Sequence, residues 1–119
     1  YYLKLKNALA NSEYDNAVEI SLTLFYNTEQ LTAEEHFEKV NRLSKQISEA
    51  KSIKEQREIF VELSEVAFLI IVKQQHEITI YRKFCPETKA YWLSDTKDNK
   101  NPYRGDVEPK LGNIVEKIK

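Results

Sequence analysis

The sequence predicts a mainly α-helical chain, an up-and-down antiparallel four-helix bundle with a small C-terminal β-hairpin and loop cap. Apolar residues repeat at helical spacing through most of the chain. Motifs that start helices interrupt this repeat at three places. All three Pro, both Gly and the only Cys and Trp lie between residues 85 and 112, so the unusual backbone demands collect at one end.

A chain of 119 residues is expected to form one domain, spanning residues 1–119. Within it we expect the helical bundle over residues 1–76 and a β-rich cap, packed on the bundle, over residues 77–119. An isolated hairpin is marginally stable in water, so the cap must rest on the helices.

Four helices follow from capping signals and apolar faces. The first is already under way at Tyr1, and a hydroxyl residue with an acid three positions later predicts the start of each other helix. These pairs are Ser12–Asp15, Thr32–Glu35 and Ser52–Glu55. One face of each helix is apolar; in chain order the faces are Tyr2, Leu5, Leu9; then Tyr14, Ala17, Val18, Ser21, Leu22, Phe25; then Phe37, Val40, Leu43, Ile47, Ala50; then Phe60, Leu63, Ala67, Ile70.

The period changes after His76. Residues 78–84 alternate β-branched or aromatic with polar side chains, which predicts a strand. A turn over residues 85–89 then leads into a short partner strand at residues 90–93. We expect Ile114, Val115 and Ile118 to dock on the body of the domain, as helix or as strand.

Composition excludes several partners. The net charge is −1, which gives no field to hold a nucleic acid or an anionic membrane surface. The longest apolar run, residues 66–72, is far shorter than the ~20 residues that span a bilayer. The chain begins without Met, so we expect a processed or trimmed piece. One Cys leaves the redox compartment open.

Several short motifs resemble a known bacterial family. In chain order they are Tyr2-Leu3-x-Leu5-Lys6-x-Ala8-Leu9, Glu55-Gln56-Arg57-x-x-Phe60-x-x-Leu63-Ser64, Cys85-Pro86, Ala90-Tyr91-Trp92-Leu93-Ser94, Asn101-Pro102-Tyr103-x-Gly105-Asp106 and Gly112. The family is a domain of unknown function, found as small secreted or periplasmic proteins. It also occurs at the C-terminal end of periplasmic adaptor subunits of copper and silver efflux pumps.

The resemblance implies a helical bundle with a β-rich cap, export from the cytoplasm and a link to metal handling. Members commonly carry Met after the Cys-Pro pair, and a Met and a Cys before the final Gly. This sequence has Glu87, Glu108 and Leu111 there, so it departs from the family at all three soft-donor positions.

Cys85 is the candidate metal ligand. Cuprous copper prefers several soft donors, and the sequence has no Met and no second Cys, so His76 or His36 would have to help. Bundle geometry separates the two imidazoles by ~13 Å along a helix. Burial as a small apolar residue is therefore the favoured role of Cys85.

An aromatic group is the second candidate site. Tyr81, Tyr91, Trp92 and Tyr103 suit a ligand groove or partner surface, and they suit the seam between hairpin and bundle equally well. We expect Trp92 to be the buried anchor of the cap and Tyr103 to be exposed.

These observations favour a non-enzymatic, exported binding or interaction module, periplasmic or secreted, with a lipid anchor on a missing N-terminal segment as an alternative. We expect it to contact a protein partner in the cell envelope or a small ligand at the seam between bundle and cap. No cofactor is expected. The alternative is a soft-metal protein that binds a copper ion through Cys85. A third hypothesis, an enzyme that uses the Cys85 thiolate, lacks an evident neighbouring base.

Overall fold

The chain runs through four helices before its strands. The structure, a computed structural model, describes residues 1–74, 78–97, 100–104 and 113–118. Within these ranges the elements are α1 (Tyr2–Ala10), α2 (Tyr14–Thr28), a 3₁₀ turn (Glu29–Leu31), α3 (Glu35–Glu49), α4 (Ile53–Ile71), β1 (Ile80–Cys85), β2 (Ala90–Ser94) and β3 (Asn113–Ile118). The prediction of a mainly helical chain that ends in a small β unit is confirmed.

One of the three predicted helix caps forms as expected. The Glu55 backbone N–H donates to Ser52 Oγ at 3.2 Å, and the Glu55 carboxylate accepts from the Lys51 N–H at 3.1 Å. The first bond satisfies a donor that the first turn of a helix leaves free, and the second ties the residue before the cap to the helix. The start of α4 therefore lies where the sequence placed it.

The other two caps are corrected. Glu13, not Ser12, precedes α2, because Ser12 takes a left-handed backbone (φ 58°) and its hydroxyl accepts from the Arg57 guanidinium at 3.1 Å. Glu34, not Thr32, caps α3 by accepting the Phe37 N–H at 3.0 Å. That hydrogen bond lowers the pKa of the Glu34 carboxyl.

The helices and the sheet share one main core. It contains apolar side chains from every helix and from the β unit: Leu5, Ala8, Leu9, Ala17, Val40, Leu43, Ile47, Phe60, Leu63, Val66, Cys85, Ala90, Trp92 and Tyr103. Most of the predicted apolar faces lie in this core or against it. Leu22 is an exception, with 37% of its surface exposed, because it lies at the margin of the α2 stripe.

The β unit is a three-stranded antiparallel sheet with the order β2-β1-β3. Cys85 pairs with Ala90 at the tight end of the hairpin, where Lys89 adopts φ 58° and donates its N–H to the Cys85 carbonyl at 2.7 Å. β3 adds a strand that the prediction of a hairpin lacked. A register shift lies between Arg82 and Lys83, opposite β3.

The third strand settles the alternative between helix and strand near the C-terminus. Ile118 is buried, but Ile114 and Val115 are exposed, so the expectation that all three dock on the body is wrong for two of them. Ile118 packs with Ile80 and Leu93 in a second small cluster under the sheet.

Arg57 fixes the loop that follows the hairpin. Its Nε donates to the Pro102 carbonyl at 2.8 Å, and its Nη2 donates to the Leu9 carbonyl at 2.8 Å. One side chain of α4 thus joins the end of α1 to the loop at residues 101–104. No helix among the described residues is long and apolar enough to span a membrane.

Candidate apolar binding cavity

A cavity of about 320 Å³ lies where the helices meet the sheet, and we call it the seam cavity. Its wall comes from all four helices, from β1 and β2 and from Ile78. The lining residues are Tyr2, Leu3, Leu24, Thr28, Phe37, Val40, Leu63, Ala67, Ile70, Ile71, Ile78, Ile80 and Leu93. Its size falls at the lower end of the range for small-molecule sites, about 300–1,000 Å³.

The α4 helix supplies one wall through its helical period. Leu63, Ala67, Ile70 and Ile71 follow each other at intervals of four, three and one residues, which places them along one stripe. Ala67 is the smallest of these side chains. Because its side chain is a single methyl group, it leaves part of the cavity volume unfilled.

The sheet supplies the opposite wall through its pleat. In the antiparallel ladder Leu93 lies opposite Arg82, two residues from Ile80, so Ile80 and Leu93 project from the same face. Both are buried and belong to the small cluster under the sheet. The cavity is thus the part of the seam that these side chains leave unfilled.

The two hydroxyl groups in the wall are already engaged. Thr28 Oγ1 donates to the Leu24 carbonyl at 2.9 Å and accepts from the Asn41 amide at 3.0 Å. Tyr2 Oη accepts the Leu93 backbone N–H at 3.0 Å and bonds Ser64 Oγ at 2.8 Å. The wall therefore presents hydrocarbon to whatever enters.

The Tyr2 bonds belong to a chain of hydroxyls that joins sheet and helices. Tyr103 Oη lies beside the Tyr91 carbonyl and 3.2 Å from Ser64 Oγ. The Tyr103 hydroxyl is the donor in both contacts, so the Tyr91 carbonyl and Ser64 Oγ share its single proton. Between Tyr2 and Ser64, either hydroxyl can be the donor. Desolvation in this buried chain raises the pKa of Tyr2 and of Tyr103.

Beside the cavity, Arg82 lies between two aromatic rings. Its guanidinium carbon is 4.0 Å from the ring centre of Phe68 and 3.9 Å from that of Tyr91. Its Nη2 also contacts Glu65 Oε2 at 3.4 Å. This stack joins β1 and β2 to α4 and holds the sheet against the helix.

The candidate metal ligands do not converge in the described residues. Cys85 is fully buried, and its thiol is 3.4 Å from Thr88 Oγ1 and accepts the Thr88 N–H at 3.5 Å. His36 lies at the start of α3, whereas His76 falls outside the described residues. Residues 1–74, 78–97, 100–104 and 113–118 contain no cluster of three His, Cys, Asp or Glu that could hold a metal ion.

The four aromatic candidates are buried or half-buried. Trp92 is fully buried, as predicted, and meets Tyr103 edge-on with ring centres 6.1 Å apart. The prediction of an exposed Tyr103 is wrong. Only 7% of its surface is accessible because its hydroxyl enters the buried chain. Tyr91 and Tyr81 are half-buried, and Tyr91 packs against Arg82. A partner surface made of Trp92 and Tyr103 is therefore not available.

Sequence reasoning placed a candidate ligand at the seam and put several wall residues on apolar helix faces, but it did not predict that they enclose a cavity. Ala67 and Ile70 were in the predicted α4 stripe, and the signal was the small Ala among larger apolar residues. Leu24, on α2, was not in a predicted face, yet it lines the cavity. Its place depends on how α2 packs on α3.

One family model matches residues 1–78, and its description is "Protein of unknown function (DUF3347)". No curated protein and no solved structure matches the chain. The predicted likeness to a domain of unknown function is confirmed by the match. The bacterial source, the exported location and the link to efflux pumps stay predictions.

Proposed function

We propose that this chain, which belongs to the DUF3347 family, is a non-enzymatic binding module that holds an apolar ligand in the seam cavity. The observation that carries the proposal is a cavity of about 320 Å³ whose wall is hydrocarbon. Both wall hydroxyls, on Thr28 and Tyr2, have partners within the protein. They contribute to the shape of the cavity, and no other described residue of its wall carries a polar side chain.

Physical chemistry favours an apolar occupant. A cavity of about 150 Å³ lined by aliphatic and aromatic side chains stays dry and takes up benzene. The seam cavity is about twice that size, so its wall forgoes more dispersion contacts. Each Å² of apolar surface that leaves water on binding contributes roughly 25 cal/mol. A hydrocarbon of matching size would gain both the missing dispersion contacts and the free energy of removing apolar surface from water.

We also propose that the module works outside the cytoplasm, in the cell envelope. The support for this part is the resemblance carried by the motifs at Cys85-Pro86, at residues 90–94 and at residues 101–106. The proposed ligand site and the proposed location are separate claims. The first is tested with the purified chain.

The test is binding of a fluorescent anilinonaphthalene probe to the native chain. We expect saturable enhancement that is lost in Ala67→Trp, because the indole fills the cavity above α4. The matched control is Leu69→Trp, which adds the same ring two residues away. Leu69 is 42% exposed and is not part of the wall.

Circular dichroism spectra verify that both variants fold. If the native chain gives no saturable signal, or if both Trp variants bind the probe like the native chain, the proposed function is wrong. Loss of binding in Ala67→Trp alone supports it.

A further inference from the structure

We infer that the ligand portion inside the seam cavity is a single unbranched acyl chain of about ten to twelve carbons, with its polar head outside. This inference rests on the proposed function and names its ligand class. The first support is volume. A cavity of about 150 Å³ accommodates the six carbons of benzene, so about 320 Å³ accommodates about twice as many.

The second support is the hydrogen-bonding state of the wall. Thr28 Oγ1 and Tyr2 Oη both have internal partners, at distances of 2.8 to 3.0 Å. A polar atom of a ligand inside the cavity would lose its water without gaining a partner, which is unfavourable. The enclosed portion must therefore be hydrocarbon.

The third support separates an aliphatic chain from an aromatic ligand. The rings in the wall are those of Tyr2 and Phe37, and the rest of the wall is Leu, Ile, Val, Ala and Thr. The Tyr2 ring is already stacked on Phe60, with centres 5.0 Å apart and planes 19° apart. A flat ring would gain little stacking here, whereas a flexible chain can follow branched aliphatic side chains.

The position of the head follows from exposure. Ile78 lines the cavity and 52% of its surface is accessible, so the wall reaches the protein surface at this residue. Ile70 and Ile71 at the end of α4 are half-buried and also line the wall. An acyl chain that enters here leaves its head group in water near the end of α4.

The test is displacement of the anilinonaphthalene probe from the native chain by a series of fatty acids from hexanoate to hexadecanoate. Each added CH₂ should tighten binding about four-fold, from about 0.8 kcal/mol per buried CH₂. The gain should stop near ten to twelve carbons, where further carbons remain in solvent.

A variant with a smaller cavity tests whether the acyl chain binds in the seam cavity. Ala67→Leu adds three carbons to the wall, so the plateau should move about three carbons shorter, whereas Leu69→Trp should leave it unchanged. A probe that binds but is not displaced, an affinity independent of chain length, or a plateau that does not move in Ala67→Leu would overturn the inference. The proposed function would stand in those cases, because it is contradicted only by the probe-binding measurements on the native chain and the two Trp variants.

A second arm distinguishes the source of the chain. Vesicles of phosphatidylcholine are sedimented with the native chain, with Ala67→Trp and with Leu69→Trp. Sedimentation lost only in Ala67→Trp assigns the acyl chain to a phospholipid. A fatty-acid series that behaves as expected without sedimentation assigns it to a free fatty acid.

Discussion

Replacing Trp92 by Ala tests whether the β unit is anchored in the core. Trp92 is fully buried, and such a truncation to Ala costs about 3–5 kcal/mol. Its indole N–H, however, has no hydrogen-bond partner among the described residues. Truncation removes that buried donor and returns part of its desolvation penalty, about 1–3 kcal/mol. We therefore expect a loss near the low end, about 3 kcal/mol.

The measurement is urea unfolding followed by far-UV circular dichroism, because the variant lacks the only Trp. With a slope of about 1–3 kcal/mol/M, a loss of about 3 kcal/mol lowers the midpoint by about 1–3 M. Trp92→Phe removes the N–H but keeps a ring, so it should cost less, about 1 kcal/mol.

The control is Tyr26→Ala, a truncation of an aromatic ring that is 63% exposed, which should change stability by less than about 0.5 kcal/mol. A loss below about 1 kcal/mol in Trp92→Ala, with a normal slope, would refute the reasoning. It would mean that the cap does not depend on this ring for its place on the helices.

Four further predictions concern other parts of the fold. Burial raises the pKa of Tyr2 and Tyr103 above the ordinary value near 10, so the folded chain keeps protons that the unfolded chain loses. The free energy of unfolding is therefore highest below about pH 10, and above it falls by up to about 1.4 kcal/mol per pH unit for each group. Urea melts at several pH values measure this fall, and the Tyr→Phe variants should lose it. Arg82→Lys should lower stability by about 1–2 kcal/mol in urea melts, because an ammonium cannot stack between two rings. Ser52→Ala should cost about 1 kcal/mol in the same assay through loss of the α4 cap. Because Cys85 is buried, its thiol should be alkylated far more slowly in the folded chain than in the urea-unfolded chain. Cuprous ion, titrated under reducing conditions, should bind the native chain and Cys85→Ala alike. Loss of tight binding in the variant would favour the soft-metal alternative.

Local signals predicted the elements well because their causes are local. The apolar period of α3 and the cap at Ser52 depend on residues within a few positions of each other. The two misplaced caps failed because other groups engage the hydroxyls that were predicted to cap the helices. The Ser12 hydroxyl accepts a hydrogen bond from Arg57, a residue 45 positions away. The Thr32 hydroxyl donates to the Glu29 carbonyl, three positions earlier in the 3₁₀ turn.

Tyr103 shows why the site was harder to predict. Its position between Pro102 and Arg104 indicates a turn, and turns are usually exposed. The structure buries it because Ser64 and the Tyr91 carbonyl offer partners for its hydroxyl. Pairings across 39 and 12 positions leave no periodic trace in one sequence. The cavity wall has the same origin, since it combines residues from six elements and the segment before β1.

The buried hydroxyl chain accounts for the hydrocarbon lining of the seam cavity. A short sheet is marginally stable alone, so it needs attachment to the helices. Tyr2, Ser64 and Tyr103 provide that attachment with bonds that satisfy one another and the Leu93 N–H. Because these groups turn toward each other, they do not turn toward the cavity, and water there would find no free partner. The contacts that hold the sheet above α4 therefore also leave hydrocarbon in the described wall of the seam cavity, which favours an apolar ligand over water.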